Sequence, residues 1–181
     1  MSTEGEVSET SPLKGEDKTQ TETAARSRAT PCSRAQAPLQ SCLRPAMWFP
    51  GINRLHSHTE VWRTDTSTPQ QNIESIQRAL MKVIENDKTR SDFYINKVES
   101  YFLQIFVFTR AEWLDVIEMH FEHDKIKIFA FSSGFLPLFL PGACLLNVVF
   151  FWVPFLDWGM NEKRLRWLQS QLDVPMERLA A

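Results

Sequence analysis

The chain has 181 residues, a formal net charge of −2 and 43% hydrophobic residues. This length suits one ordinary domain, because single cores commonly use about 100 to 200 residues. The near-neutral charge offers no bulk attraction for a phosphate backbone, so the composition argues against a nucleic-acid partner. The three cysteines form an odd set without a disulfide framework, which favours a reducing, cytosol-facing location.

The N-terminal region, residues 1–46, is rich in Ser, Thr, Glu, Lys, Ala and Pro and holds almost no large apolar side chain. Such a composition does not offset the entropy lost on ordering, so the sequence predicts a disordered tail over 1–46. The opening residues also lack the basic start and apolar core of a secretory signal, which indicates an intracellular protein that is not secreted. One folded domain is expected over 47–181.

A first helix is predicted from Pro69 to about Asn86. Thr68 and Gln71 form a capping box around Pro69, which satisfies free backbone amides and fixes the first helical residue. Apolar side chains then recur at helical spacing, at Ile73, Ile76, Leu80, Val83 and Ile84. One face of this helix is therefore expected to be buried.

Aromatic and β-branched residues dominate the next part of the chain, which is typical of strands. The predicted strands are Phe93–Val98, Tyr101–Thr109, Asp115–Phe121 and Ile126–Phe131. The second has apolar residues on both faces and is expected to be central, whereas the third is expected to be half exposed. A tight turn at residues 123–125 would join the last two strands in an antiparallel meander.

A second helix is predicted from about Asn161 to Leu172, where leucines recur at helical spacing. The order helix, strands, helix predicts an α+β fold. We expect an antiparallel sheet of about four strands, with an N-terminal and a C-terminal helix packed on one of its faces.

An unusually apolar segment of 22 residues without a charge extends from Phe135 to Leu156. Such a segment needs a non-aqueous environment, which is either lipid or the protein interior. Three prolines and Asn147 argue against a plain spanning helix, so a re-entrant or interfacial insertion is an alternative to a span. In the soluble alternative, Leu145–Val153 is a further buried strand. The candidate membrane contacts are Phe135, Leu136, Leu138, Phe139, Leu140, Leu145, Leu146, Val148, Val149, Phe150, Phe151 and Trp152.

The sequence predicts no catalytic residue, metal site or cofactor site. It contains no Gly-rich phosphate loop or nucleophile elbow, and its cysteine spacing does not suit zinc. Asp115 and Glu118 are the most suggestive carboxylates. Residues three apart on a strand point to opposite faces, however, so these two are not expected to share a substrate.

Four short polar motifs lie between Arg90 and about Leu168. They are Thr109-Arg110, Asp115-Val116-Ile117-Glu118-Met119, Ser132-Ser133-Gly134 and Asp157-Trp158-Gly159-Met160-Asn161-Glu162-Lys163-Arg164. In order and spacing this part of the chain resembles the domain-of-unknown-function family 1499. Members of that family carry a Thr-x-Arg or Ser-Arg element, an Asp-Asp-Val-Glu-Phe strand, Ser-Ala-Ser-Arg, and Asp-x-Gly-x-Asn-Arg-x-Arg at the last helix.

The resemblance implies a polar cluster but no activity, because the family itself has none established. The cluster would consist of Arg110, Asp115, Glu118, Asp157, Asn161 and Arg164. Its structural role would be to hold the sheet to the last helix through charge-assisted hydrogen bonds. Asp157 would lie near the N-terminus of that helix, where a negative charge is favoured.

Three functional hypotheses follow. In the first, the chain is a non-enzymatic, membrane-associated interaction or lipid-handling protein that contacts membrane lipid or a membrane protein through 135–156. In the second, it is a soluble domain that binds a small hydrophobic ligand in an apolar pocket. The third is an enzyme, which would gain support if Arg110, Asp115 and Glu118 converged in a cleft. The sequence indicates no particular oligomeric state.

Overall fold

The structure is a computed structural model that describes residues 28–51, 53–65, 68–86, 91–153, 155 and 157–179. Within these residues the strands are β1 (Ser57–Arg63), β2 (Asp92–Glu99), β3 (Phe102–Phe108), β4 (Leu114–Phe121), β5 (Lys125–Ser132) and β6 (Glu177–Leu179). They form one sheet in the order β2-β3-β4-β5-β1-β6, and every neighbouring pair is antiparallel. The helices are α1 (Pro31–Leu43), α2 (Asn53–His56), α3 (Pro69–Asn86), α4 (Ala143–Val149) and α5 (Met160–Ser170), and a 3-10 turn spans Pro45–Met47.

The predicted α+β architecture is confirmed, and its two helices lie on one face of the sheet. Helix α3 has the predicted bounds, and the Thr68 hydroxyl accepts a hydrogen bond from the Gln71 amide at 3.4 Å. Its apolar stripe is almost fully buried against the sheet, and Leu165 and Leu168 of α5 join the same core. The spacing of large apolar residues therefore identified this layer correctly.

The predicted count of about four strands was too low, because β1 and β6 extend the sheet beyond β5. Strand β1 has a weak apolar pattern, in which Trp62 is fully buried but shares its face with Glu60, also buried. The Glu60 carboxylate accepts a hydrogen bond from the Trp62 indole at 2.8 Å and pairs with Arg178 of β6. A buried carboxylate that long-range partners satisfy is hard to recognise from local sequence.

The second face of the sheet is also covered, by α1 and α4, which the sequence analysis did not predict. Residues 1–27 of the predicted disordered tail lie outside the described residues, but Pro31–Leu43 is a helix, so the tail prediction was wrong there. The buried positions of α1 are Ser33, Ala37, Gln40 and Ser41. Small and polar residues carry no apolar periodicity, and this explains the failure.

Helix α1 also changes the burial of β4. This strand was expected to be half exposed, yet His120 is its single exposed residue. Val116 packs with Phe106 and with Ala37 of α1 in a second core, which lies on the second face of the sheet. Apart from His120, the even-numbered face of β4 is therefore interior, because a helix of small residues can approach the sheet closely.

The apolar segment adopts neither the spanning helix nor the strand considered for it. Helix α4 occupies Ala143–Val149, so the predicted strand over Leu145–Val153 is wrong. This helix is only seven residues long. Among the described residues, no helix has both the length and the hydropathy needed to cross a membrane. Pro137 and Pro141 precede α4 in a series of turns, which fits the inability of proline to donate a backbone hydrogen bond.

Amide side chains satisfy part of the backbone of these turns. The Gln36 amide nitrogen of α1 donates to the carbonyls of Leu138 and Leu140, each at 2.9 Å. The Asn147 side chain accepts from the Leu136 amide at 2.7 Å and donates to the Leu136 carbonyl at 3.1 Å. Asn147, which counted against a span in the sequence analysis, is thus a buried structural contact.

The N-cap of helix α1, Thr30, is held by a residue that is distant in sequence. One Glu112 carboxylate oxygen accepts hydrogen bonds from the Thr30 amide at 3.2 Å, from the Thr30 hydroxyl at 2.7 Å, and from the Ser33 hydroxyl. Burial raises the pKa of Glu112, but these hydrogen bonds outweigh it and hold the pKa below its ordinary value of 4.5. The negative charge also lies at the helix N-terminus, where it is favoured.

We expect Glu112→Ala to lower the free energy of unfolding at pH 7 by about 1 kcal/mol, the typical cost of losing a cap. Because the folded-state pKa of Glu112 is lowered, its contribution is complete above pH 4.5 and is lost as the pH falls through the folded-state value. Urea denaturation at several pH values measures the difference between the wild type and the variant. Glu85→Ala, on the exposed side of α3, serves as the control. An equal difference at pH 7 and pH 3 would contradict this role of Glu112.

Candidate functional site

A cavity of about 550 Å³ lies at the end of the sheet where β3 and β5 finish and β4 begins. The first turn of α5 closes one side of it. Its apolar walls include Trp113, Phe135, Phe155, Trp158 and Met160. Its polar groups include Arg110, Asp115, Ser132, Asp157 and Arg164. Four of the six residues of the predicted polar cluster therefore line one cavity.

A buried ion pair between Asp115 of β4 and Arg164 of α5 lies in the cavity wall. Each side chain is only 6% exposed. The pair joins the sheet to the last helix, as the resemblance implied. The Arg164 Nε atom is also buried, and it has no hydrogen-bond partner among the residues that the structure describes.

Asp157 holds the start of α5. Its carboxylate accepts hydrogen bonds from the Gly159 amide at 2.8 Å and from the Asn161 amide at 3.3 Å. Both amides belong to the first turn of the helix or to the residue before it, so the negative charge faces the positive end of the helix dipole. The Asp157 carboxylate is therefore compensated within the fold.

Asn161 lies behind the cavity and is fully buried. Its amide nitrogen donates to the His56 carbonyl at 3.3 Å and to the Ser132 hydroxyl at 3.5 Å. The His56 ring stacks on Phe155 with 3.9 Å between ring centroids. Burial lowers the pKa of His56 more than the Asp157 charge raises it, so the ring is neutral at pH 7.

Arg110 differs from the other charged groups of the cavity. It follows the end of β3 and is exposed. Within the described part of the chain, its guanidinium makes no hydrogen bond, ion pair or ring contact. The two aspartates each have partners, whereas the Arg110 guanidinium has no direct partner among the described residues.

Glu118 lies on the other face of the sheet, away from the cavity. It pairs with Arg44 at 2.6 Å and accepts a hydrogen bond from the Gln104 amide at 2.9 Å. Asp115 and Glu118 therefore point to opposite faces, as their spacing predicted. Arg110, Asp115 and Glu118 do not converge, so the condition set for a catalytic cleft is not met.

The aromatic walls of the cavity were not predicted from the sequence. Trp158 is the most unusual of them, because it is 78% exposed and has φ = 55°, in the left-handed region that bulky residues avoid. Its position between Asp157 and Gly159 in the last polar motif was the available signal. Trp113 is held by a hydrogen bond from its indole nitrogen to the Phe135 carbonyl at 3.0 Å.

An exposed apolar surface lies next to the cavity. We define the apolar face as the eight exposed apolar side chains of residues 135–152: Phe135, Phe139, Leu140, Leu145, Leu146, Val149, Phe150 and Trp152. Leu145 and Val149 are 62% and 63% exposed. Exposed Trp48 and Phe49 border the segment, with ring centroids 5.8 and 6.5 Å from that of Phe151.

Four of the proposed membrane contacts are not part of this face. Leu138 is buried in the core on the second face of the sheet, so its assignment as a membrane contact was wrong. Leu136 packs against that core and is half buried. Val148 and Phe151 are half buried. In the turns before α4 only Leu138 is fully buried and its neighbours are half buried or exposed, which a count of apolar residues cannot show.

Comparison of the chain with protein-family models, with curated proteins and with solved structures finds no match. The resemblance to the domain-of-unknown-function family 1499 therefore stays a prediction. In the part of the chain that the structure describes, no three His, Cys, Asp or Glu side chains are grouped so as to hold a metal ion.

We expect Asp115→Ala to lower the free energy of unfolding by about 3 to 5 kcal/mol, because it leaves the buried Arg164 charge without its partner. The double variant Asp115→Leu/Arg164→Met removes both charges and is expected to lose less. Chemical denaturation of Asp115→Leu, of Arg164→Met and of the double variant measures this coupling. Additive losses would show that the two side chains do not interact as the geometry indicates.

Proposed function

We propose that the chain is a non-enzymatic, membrane-associated lipid-handling domain that docks on a lipid surface through the apolar face. The observation that carries this proposal is the exposure of eight apolar side chains in a segment without a charge. Monomeric proteins rarely expose apolar patches larger than about 300 to 600 Å², and larger ones mark interaction sites. The proposed location is an intracellular membrane surface that faces the cytosol.

The size of the apolar face is sufficient for reversible docking. Full burial of a Leu, Val or Phe side chain contributes roughly 1.5 to 3 kcal/mol. Each side chain of the face is already about half buried, so a gain of about 1 kcal/mol per inserted residue is the appropriate scale. Several such residues together would exceed the marginal binding of a single acyl anchor.

Two further features favour lipid as the occupant of this surface. Trp48, Trp152 and Trp158 are exposed on or near the segment, and tryptophan is enriched at membrane–water interfaces. Within the segment, carbonyls of the turns already accept hydrogen bonds from Gln36 and Asn147. Insertion of this part would therefore leave those carbonyls satisfied, as the apolar environment of lipid requires.

The position of the cavity supports lipid handling in addition to anchoring. Phe135 belongs both to the apolar face and to the cavity wall. A molecule that leaves a lipid surface below the face would therefore reach the cavity along apolar side chains.

A soluble domain that takes a small hydrophobic ligand from water is the second candidate. The cavity itself favours it, since about 550 Å³ lies within the range of roughly 300 to 1,000 Å³ for small-molecule sites. The two candidates differ in whether the apolar face contacts lipid.

We expect the full chain to float with phosphatidylcholine vesicles on a density gradient. The double variant Leu145→Glu/Val149→Glu is expected to lose at least about tenfold in vesicle partitioning, because charges are costly in the apolar layer. Both positions are exposed, so folding should be retained, which circular dichroism can check. Tyr101→Glu is the matched control, because Tyr101 is 65% exposed in the β2–β3 turn at the opposite end of the sheet.

A wild-type chain that is monodisperse and stays in the bottom fractions with vesicles would overturn membrane docking and leave the soluble candidate. Equal flotation of the double variant and the Tyr101→Glu control would also overturn it, because docking would not then involve the apolar face.

A further inference from the structure

We infer that the cavity at the end of the sheet binds a single-chain amphiphilic anion, with its acid group at Arg110 and its chain along Phe135, Phe155 and Trp158. This inference deepens the proposed function and rests on it, because it names the class of lipid that the domain would handle. The acid group is a carboxylate or a phosphate, since an arginine fork binds either.

The charges of the cavity select the sign of the ligand. Asp115 is neutralised by Arg164, and Asp157 is held by two backbone amides at the start of α5. Arg110 is left without a partner within the described residues. A cationic ligand would meet this guanidinium unfavourably, whereas an anion would compensate it.

A second guanidinium group strengthens the preference for an acceptor. Arg164 lines the same cavity and is only 7% exposed, yet its Nε atom has no partner in the described part of the chain. Buried donors are normally satisfied, so an unpaired one is expected to have a partner that the protein alone does not supply. An acceptor atom of a bound ligand would supply it.

The remaining walls select an apolar chain. The ring of Trp113 is held in place because its indole N–H is bonded to the Phe135 carbonyl. Phe155 is fixed by stacking on the neutral His56 ring. These aromatic surfaces are positioned by the fold before any ligand arrives, which reduces the entropy lost on binding.

Trp158 provides an independent indication of function at this place. Its left-handed backbone and 78% exposure place a large ring at the cavity in a conformation that is strained for a residue other than glycine. Such strain persists where the surrounding structure imposes it and is concentrated at binding sites. A ring that packs on a ligand chain would account for this conformation.

The test uses four twelve-carbon probes, each below its micellar concentration and without vesicles. They are dodecanoate, dodecyl phosphate, dodecanol and dodecyltrimethylammonium. Isothermal calorimetry with the full chain is expected to give affinities for the two acids that are at least about tenfold higher than for the alcohol or the ammonium, as a charge-assisted hydrogen bond implies. The acid that binds with the higher affinity then identifies the preferred head group.

Two variants assign this preference to the cavity. Arg110→Ala is expected to lower the affinity for both acids at least about tenfold and to leave the affinity for dodecanol unchanged. Trp158→Gly is expected to weaken the binding of acids and alcohol alike and to raise the melting temperature, because glycine tolerates positive φ. Arg78→Ala, an exposed arginine of α3, is the matched control and should bind like the wild type.

Equal affinities for all four probes, no binding of either acid, or acid binding that survives Arg110→Ala would each overturn the inference. Because the assay contains no vesicles, its result is separate from flotation. A chain that floats but binds no acid retains membrane docking and loses this inference. A chain that binds the acids but does not float retains the amphiphile site and loses membrane docking.

Discussion

The central strands of the sheet are apolar on both faces, so both faces must be covered, and the rest of the structure follows from that requirement. Strand β3 is buried along nearly its whole length. On one face α3 and α5 provide large apolar side chains. On the other, α1 approaches through small residues, and part of the apolar segment fills the remaining space. The segment thus uses only some of its apolar side chains as core, and the others form the apolar face. The apolar segment therefore contributes both to the interior and to the surface of the domain.

The cavity and the apolar face depend on the same junction after β5. Gly134 is closely packed there, because a Cβ atom would lie 2.3 Å from the Gln40 amide nitrogen and 2.5 Å from that of Asn147, and both side chains would have to move. The Gln40 nitrogen in turn donates to the Ser133 carbonyl at 2.6 Å. This close packing directs the chain from β5 into Phe135, which contributes to both surfaces. The ion pair between Asp115 and Arg164 fixes the opposite wall. A site for an amphiphile and a surface for lipid are thereby placed side by side.

The sequence predicted those parts of the fold that depend on local spacing of large apolar residues. Helix α3 and strands β2 to β5 were found because their patterns are periodic and their caps are local. Helix α1 was missed because Ala37 and Gln40 fit the sheet through shape and hydrogen bonding and leave no apolar stripe, although Thr30 and Pro31 form a local cap at its start. The polar motifs led to four residues of the cavity, but they also included Glu118, which strand alternation places on the other face of the sheet, where it pairs with Arg44. The aromatic walls depend on backbone direction at Trp113 and Trp158, which composition does not reveal.

Depth-dependent fluorescence quenching can determine whether the outward side of the apolar segment enters lipid. An environment-sensitive fluorophore at Val149→Cys is compared with one at Glu74→Cys on α3, with the exposed Cys42 replaced by serine in both proteins. With vesicles that carry nitroxide groups on their acyl chains, we expect the fluorescence emission at position 149 to be blue-shifted and quenched. The emission at position 74 should be unchanged. An unchanged signal at position 149, with the protein shown to be folded, would contradict it.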